Sequence, residues 1–112
     1  FRALVSADEL PEGGGIELAK AAVRLAPGLP VILVARTMLG TINHSLLSLE
    51  ALRCRGVTVH SIAFVGEAEP ASEEAVIRLG KVTHLGRLPR LDPLTPDTLA
   101  KAFAAHIRTD HL

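Results

Sequence analysis

The segment from Leu39 to Ser45 combines a glycine turn with polar side chains in a way that suits anion binding. Gly40 follows an apolar stretch, and an amphipathic stretch begins at Thr41. Thr41 and Asn43 therefore lie at the N-terminus of a predicted helix. Free backbone N–H groups and the helix dipole favour a carboxylate or phosphate at such a position. Capping of the helix by Thr41 is an equally good interpretation. The spacing alone leaves both interpretations open.

The sequence contains no phosphate-loop motif. The pattern G-x-x-x-x-G-K-[ST] places a lysine on the phosphates and a hydroxyl on magnesium. Only Gly80-Lys81 supplies the Gly-Lys pair, and there Val82 follows the lysine while Ala75 occupies the position of the first glycine. A second glycine run, at 13–15, precedes a predicted helix and could present N–H groups to an anion. A flexible turn is the favoured interpretation of that run.

The histidines and the single cysteine do not have the spacing of a metal or nucleophile site. A metal site needs three or four converging ligands, and no H-x-x-x-H pair occurs among His44, His60, His84, His106 and His111. His60 and His84 lie in predicted strands, where we expect hydrogen-bonded structural roles. Cys54 is expected to be a small packed residue rather than a nucleophile. The residues therefore predict no metal ligand and no catalytic nucleophile.

Strand and helix patterns alternate along the chain. The predicted strands are 2–6, 30–36, 57–65 and 82–85, and the predicted helices are 16–25, 41–55, 72–79 and 95–106. This order predicts an α/β fold of flavodoxin-like or phosphate-loop type, with a parallel sheet of about four strands and helices on both faces. Ligands bind beyond the carboxyl ends of such strands. The loops at 7–15, 37–43, 66–70 and 86–96 are therefore the candidates.

The composition of the 112 residues narrows the class of protein. Hydrophobic residues make up 48% and charged residues 21%, which suits one small packed domain. Lys plus Arg and Asp plus Glu are twelve each, so no basic excess exists for nucleic acid. The longest apolar run, 30–35, is too short for a bilayer, and one cysteine fits a reducing compartment. We expect a cytoplasmic domain that binds neither nucleic acid nor membrane.

Three blocks of residues carry a resemblance to a known family. Residues 36–52 are RTMLGTINHSLLSLEAL, RGV and IAFVGE follow at 55–57 and 62–67, and LGRLPRLDPL occupies 85–94. In order and spacing these blocks resemble dethiobiotin synthetase over about residues 30–107. The resemblance implies an enzyme of the phosphate-loop type. Such enzymes use ATP, magnesium and carbon dioxide to close a cyclic urea on 7,8-diaminopelargonic acid in biotin synthesis.

The resemblance also implies site residues. The family's Gly-Thr-Ile-Asn turn holds the substrate carboxylate across a homodimer interface, which implies that Thr41, Ile42 and Asn43 bind substrate. The family's adenine loops imply nucleotide-binding roles for Gly66, Glu67, Pro89 and Arg90, although many members carry Asn at the position of Gly66. The helix at 41–55 would form the dimer contact through the apolar stripe Ile42, Leu46, Leu47, Leu49 and Leu52. Ordinary core packing is the alternative role for that stripe.

The first third resembles a different family. Residues 4–11 (LVSADELP), 15–19 (GIELA) and 27–32 (PGLPVI) resemble the middle of a response-regulator receiver. Ala7 stands where the receiver's phosphoacceptor Asp would be, and Asp8 is one place late, so phosphorylation is not expected. We therefore predict a single domain over 1–112, made of a receiver-like segment at 1–29, a dethiobiotin synthetase-like segment at 30–107 and a tail at 108–112.

Two functions remain open from the sequence. One is a dethiobiotin synthetase-like domain, inactive by itself because these residues lack the phosphate loop. The other is a non-enzymatic scaffold, either receiver-like or an engineered chimera. A natural fragment, a degenerate natural protein and a chimera all fit the residues.

Overall fold

The computed structural model describes the backbone of residues 3–6 and 14–111 and the side chains of residues 16–110. The predictions for Arg2, Ala7, Asp8 and Gly13 lie outside the described residues. Strands and helices alternate as β1 (Ala3–Ser6), α1 (Gly14–Leu25), β2 (Val31–Arg36), α2 (Thr41–Cys54), β3 (Val59–Val65), α3 (Pro70–Gly80), β4 (Thr83–Leu88) and α4 (Pro96–His106), and a short 3₁₀ turn follows at Thr109–His111.

The four strands form one parallel sheet in the order β1-β2-β3-β4. The register pairs Arg36 with Val65 and Val65 with Leu88, so the carboxyl ends of β2, β3 and β4 lie side by side. The predicted parallel α/β architecture of about four strands is therefore confirmed. The loops that leave these three strands start as direct neighbours.

The main hydrophobic core lies between one face of the sheet and the helices α1, α2 and α3. Leu33 from β2 and Ile62 and Phe64 from β3 are fully buried there. Each helix adds a buried apolar residue to the same cluster: Ala19 from α1, Leu49 and Leu52 from α2, and Val76 from α3. The continuous apolar sequence of β2 is explained by this packing together with a second cluster on the other face.

A smaller cluster covers the opposite face of the sheet. It consists of Ile32, Ala63, Leu85 and Ile107, the last placed directly after α4. Ile107 forms an antiparallel bridge with Gly86, and the Arg108 N–H donates to the Leu85 carbonyl at 2.8 Å. A Cβ on Gly86 would collide with the His106 carbonyl, so this close approach requires glycine. The residues after α4 thus extend the edge of the sheet beside β4.

Several predicted boundaries are wrong. α1 begins at Gly14 rather than at 16, and β3 begins at Val59 rather than at 57. β4 runs to Leu88 rather than ending at residue 85, because Gly86, Arg87 and Leu88 remain paired with β3. α3 begins at Pro70 rather than at 72, since proline suits the first helical position. The predicted start of the last helix is confirmed: the Thr95 side chain accepts the Thr98 N–H at 3.1 Å.

In the described residues, every helix is too short or too polar to cross a membrane.

Candidate functional site: a cleft beyond the sheet

A cleft of about 880 Å³ opens beyond the carboxyl ends of β2, β3 and β4. Hydrogen bonds continue past the strands and bring their loops together. The Thr37 N–H donates to the Val65 carbonyl at 3.1 Å, and the Gly66 N–H donates to the Leu88 carbonyl at 3.0 Å. The cleft therefore lies where ligands of open α/β sheets bind.

Most of the site residues expected from the sequence line this single cleft. Pro89 is absent from the lining and is half-buried beside it. The expected residues that do line it are Thr41, Ile42, Asn43, Gly66, Glu67 and Arg90. The N-terminus of α2, the loop after β3 and the loop after β4 thus meet around one volume, although 22 residues of sequence separate each group from the next.

The N-terminus of α2 presents unused backbone donors to the cleft. Gly40 is the N-cap, with φ 93°, and no side chain caps the helix. The Thr41 and His44 N–H groups donate to the carbonyls of Met38 and Gly40. Among the described residues, no acceptor is found for the N–H groups of Ile42 and Asn43, which belong to the first turn. These two donors are available to an anion.

Thr41 does not cap the helix. Its side chain is buried, and its hydroxyl lies 3.3 Å from the Ser45 hydroxyl in the next turn. The interpretation of Thr41 as a helix cap is therefore wrong. Asn43, by contrast, is exposed on the first turn and lines the cleft, so its amide can reach a ligand.

Gly66 adopts a conformation that its contacts require. Its φ is 129°, and a Cβ at this position would lie 2.5 Å from Thr37 Oγ1. Its N–H is bonded to Leu88, and its carbonyl accepts from Arg87 Nη1 at 2.7 Å. Because buried Thr37 occupies the space beside it, a side chain such as that of Asn would not fit at position 66.

Further residues of the cleft were not singled out from the sequence. Glu69 lies in the candidate loop 66–70, and Ser72 lies in the first turn of α3; both line the cleft. α3 begins at Pro70, two residues earlier than predicted, and proline at a helix start was the signal for this boundary. Apolar lining comes from Met38, Leu39 and Leu46. Carboxylates at Glu67 and Glu69 can accept the N–H and O–H donors of a nucleoside, and Arg90 and the α2 amides can hold an anionic group.

The histidines of the strands and the cysteine lie outside the cleft lining. His60 Nδ1 lies 3.0 Å from the Ser61 hydroxyl, and His84 Nε2 lies 3.1 Å from Glu73 Oε1, so both histidines are hydrogen-bonded as predicted. Cys54 is exposed, so its prediction as a packed residue is wrong. Within 3–6 and 14–111, no three side chains of His, Cys, Asp or Glu are placed to hold a metal ion.

Comparison of the sequence with models of protein families defines the class of protein. A family model described as "AAA domain" matches residues 6–98. This range covers well over half of the 112 residues, so the chain belongs to that AAA-domain family. The match begins inside the segment at 1–29, for which the receiver resemblance stays a prediction.

Curated relatives identify a dethiobiotin synthetase segment within the chain. The ATP-dependent dethiobiotin synthetase BioD of Nitrobacter hamburgensis is 62% identical over 76 residues, which cover 68% of this chain and 36% of that protein. The same-named protein of Novosphingobium aromaticivorans is 56% identical over 82 residues (73% and 40%), and that of Rhodopseudomonas palustris strain HaA2 is 52% identical over 81 (72% and 38%). The resemblance to dethiobiotin synthetase is confirmed. The chain spans 36–40% of the length of these three relatives.

Proposed function

We propose that the cleft is the nucleotide and substrate site of a dethiobiotin synthetase-like domain. Thr41, Ile42 and Asn43 would receive the carboxylate of 7,8-diaminopelargonate, a small-molecule substrate. Gly66, Glu67, Pro89 and Arg90 would hold the adenosine end of ATP. The observation that carries this proposal is that the α2 N-terminus and the loop after β3 line one cleft.

The carboxylate role is supported by the geometry of the α2 N-terminus. The amides of Ile42 and Asn43 have no acceptor among the described residues, and Asn43 adds a side-chain amide beside them. Donors of this kind, together with the helix dipole, stabilise an anion. The Thr41 hydroxyl is directed to Ser45, so Thr41 would not bind the carboxylate through its side chain.

The adenosine role is supported by the opposite wall. Gly66 offers no side chain, and both of its backbone polar groups already bond to Leu88 and Arg87. Glu67 and Glu69 therefore supply the acceptors for the base or ribose, and Arg90 supplies a donor. This division leaves recognition of the base to side chains other than residue 66.

The described residues fit adenosine better than they fit the triphosphate. Among the described residues, the lining contains one cationic side chain, Arg90, and two carboxylates, and the sequence has no phosphate-loop motif. Three converging metal ligands are absent from residues 3–6 and 14–111. We therefore assign no residue of this chain to magnesium and derive no phosphate-transfer step.

Isothermal titration calorimetry of the 112-residue protein, first with ATP and then with diaminopelargonic acid, tests the proposal. We expect saturable heats for both ligands, with the amide signals of Ile42, Asn43 and Glu67 shifting in NMR spectra. A cytoplasmic location and a homodimer built through the Thr41–Arg55 helix are parts of the same proposal. Absence of binding by either ligand would favour the non-enzymatic scaffold instead.

A further inference from the structure

One wall of the cleft is the segment 66–69 between β3 and α3. Gly66, Glu67 and Glu69 of this segment line the cleft. The short connection holds no regular secondary structure, so its shape depends on bonds to its two ends. Its first end is bonded to a side chain of β4, and its second end is bonded to a side chain of α3 that is itself hydrogen-bonded to β4.

Arg87 holds the first end. Its guanidinium, half-buried on β4, donates from Nη1 to the Gly66 carbonyl at 2.7 Å. The Gly66 N–H donates to the Leu88 carbonyl. Side chain and strand together thus fix the residue at which the segment leaves the sheet.

Glu73 holds the second end. This residue lies in the first part of α3, and only 11% of its side chain is exposed. Glu73 Oε2 accepts the Glu69 N–H at 3.0 Å, while Oε1 lies 3.1 Å from His84 Nε2. A charge-assisted bond of this kind is stronger than one between neutral groups.

His84 is itself held in one orientation. Its ring lies against Phe64, with ring centroids 5.3 Å apart. Its Nδ1 is buried and has no hydrogen-bond partner among the described residues, so Nε2 is the nitrogen that engages Glu73. The hydrogen bond to Glu73 and the contact with Phe64 together orient the imidazole.

We propose that Glu73, oriented by His84, is a positioning residue of the cleft and that Glu73 and Arg87 together hold the segment 66–69 in its ligand-binding shape. This inference rests on the proposed function, since it assigns a role in binding ATP. Neither Glu73 nor Arg87 lines the cleft. Each acts through the backbone that it fixes. A simple helix-capping role for Glu73 would stabilise α3 without changing affinity.

The experiment combines amide hydrogen exchange with ATP titration in the full 112-residue protein. Glu73→Ala should remove the protection of the Glu69 amide and weaken ATP binding about tenfold, as expected for one lost charge-assisted bond. Glu73→Gln keeps an acceptor for that amide and should retain part of both properties. Glu74→Ala, an exposed neighbour on the same helix, is the matched control and should change neither.

The outcomes separate this inference from the proposed function. A wild-type chain that does not bind ATP overturns the proposed function, and an unprotected Glu69 amide in the wild type overturns the inference by itself. Glu73→Ala that lowers the unfolding midpoint but leaves the ATP affinity unchanged also overturns it, because a helix cap alone then explains the bond. If Glu73→Ala does not fold, Arg87→Met, which removes the donor to the Gly66 carbonyl, tests the other end of the segment, with Arg108→Met as control. Unchanged ATP affinity in Arg87→Met would contradict the inference.

Discussion

At the scale of single residues, the close contact between Gly66 and Thr37 restricts which residue can stand at position 66 of the cleft. A positive φ and a neighbouring hydroxyl both exclude a side chain at position 66. Thr37 is buried, and its N–H is bonded to Val65, so it has little freedom to move away. Recognition of a base by a side chain at position 66, which the proposed function leaves to other residues, is therefore not expected in this chain.

Replacement of Gly66 by alanine tests this contact. We expect Gly66→Ala to lower the free energy of unfolding by about 1–3 kcal/mol, because the new Cβ meets Thr37 Oγ1 in a backbone conformation that L-residues rarely adopt. Gly28→Ala is the control, since nothing lies within 4 Å of a Cβ there and its φ is not positive. Urea denaturation measures both. Equal losses of unfolding free energy in the two variants would contradict the prediction, because Thr37 would then move aside at little cost.

Asn43 decides whether the α2 N-terminus binds anions. Asn43→Ala should weaken binding of diaminopelargonic acid by about 1–3 kcal/mol, as expected when a hydrogen bond to a charged group is lost. Calorimetric titration gives the affinity, and Asn43→Asp should weaken it further through repulsion. If Asn43→Ala changes only the thermal unfolding midpoint, the residue is structural and its assignment to the site is wrong.

At the scale of elements, the end of α4 is coupled to β4. The Gly86–Ile107 bridge and the Arg108–Leu85 hydrogen bond join the residues after this helix to the sheet edge. The same strand carries Arg87 and His84, whose bonds reach the cleft wall. β4 thus connects the smaller hydrophobic cluster to the candidate site.

Ile107 tests the contribution of that cluster. The side chain is 7% exposed and packs with Ile32, Ala63 and Leu85. Ile107→Ala should lower the free energy of unfolding by about 2–4 kcal/mol, since it leaves a cavity in a buried cluster. Leu94→Ala, at a side chain that is 72% exposed, should change it by less than about 0.5 kcal/mol. Similar unfolding curves for the two variants would contradict this packing.

At the scale of the whole molecule, α2 has two different apolar sides. Leu49 and Leu52 are in the core and Leu46 packs against it, so these three serve the fold. Leu47 is 56% exposed, and Ile42 is exposed near Met38 and Leu39 in the chain. A dimer through this helix would therefore use the second group rather than the whole predicted stripe.

We predict a homodimer that buries about 800 Å² per partner through this exposed group. Leu47→Asp should shift the chain to monomer in light scattering, because it places a charge in an apolar contact. Leu47 does not line the cleft, so the substitution does not remove a group that contacts the ligand directly. Leu94→Asp is the control. A monomer mass for the wild type at tens of micromolar would remove the prediction.

Catalysis is also a property of the whole molecule. We expect the 112-residue chain alone to form no dethiobiotin from ATP, carbon dioxide and diaminopelargonic acid, since positioning and neutralising the phosphates provides most of the catalysis in phosphoryl transfer. The described lining supplies only Arg90 for that purpose. A radiochemical assay with labelled bicarbonate detects the product. ATP-dependent formation of dethiobiotin by this chain would show the expectation to be wrong.

The sequence by itself determined the class of fold, the order of its elements and most of the cleft. These features depend on local chemistry: the β-branched run of β2, the Thr95-Pro96 helix start and the glycine turn at Gly40 each act within a few residues. The rule that ligands bind beyond the carboxyl ends of parallel strands then selected the loops at 37–43, 66–70 and 86–96, all of which contribute residues to the cleft.

The tertiary structure alone decided the length of β4, the burial of Thr41, the exposure of Leu47 and the contact between Gly66 and Thr37. It also decided that Glu73 meets His84, eleven residues away, and that Arg87 reaches Gly66. The physical reason is that strand pairing, burial and side-chain hydrogen bonds depend on neighbours that are distant in sequence. The predicted end of β4 at residue 85 is wrong for this reason, because β3 continues to pair with Gly86, Arg87 and Leu88.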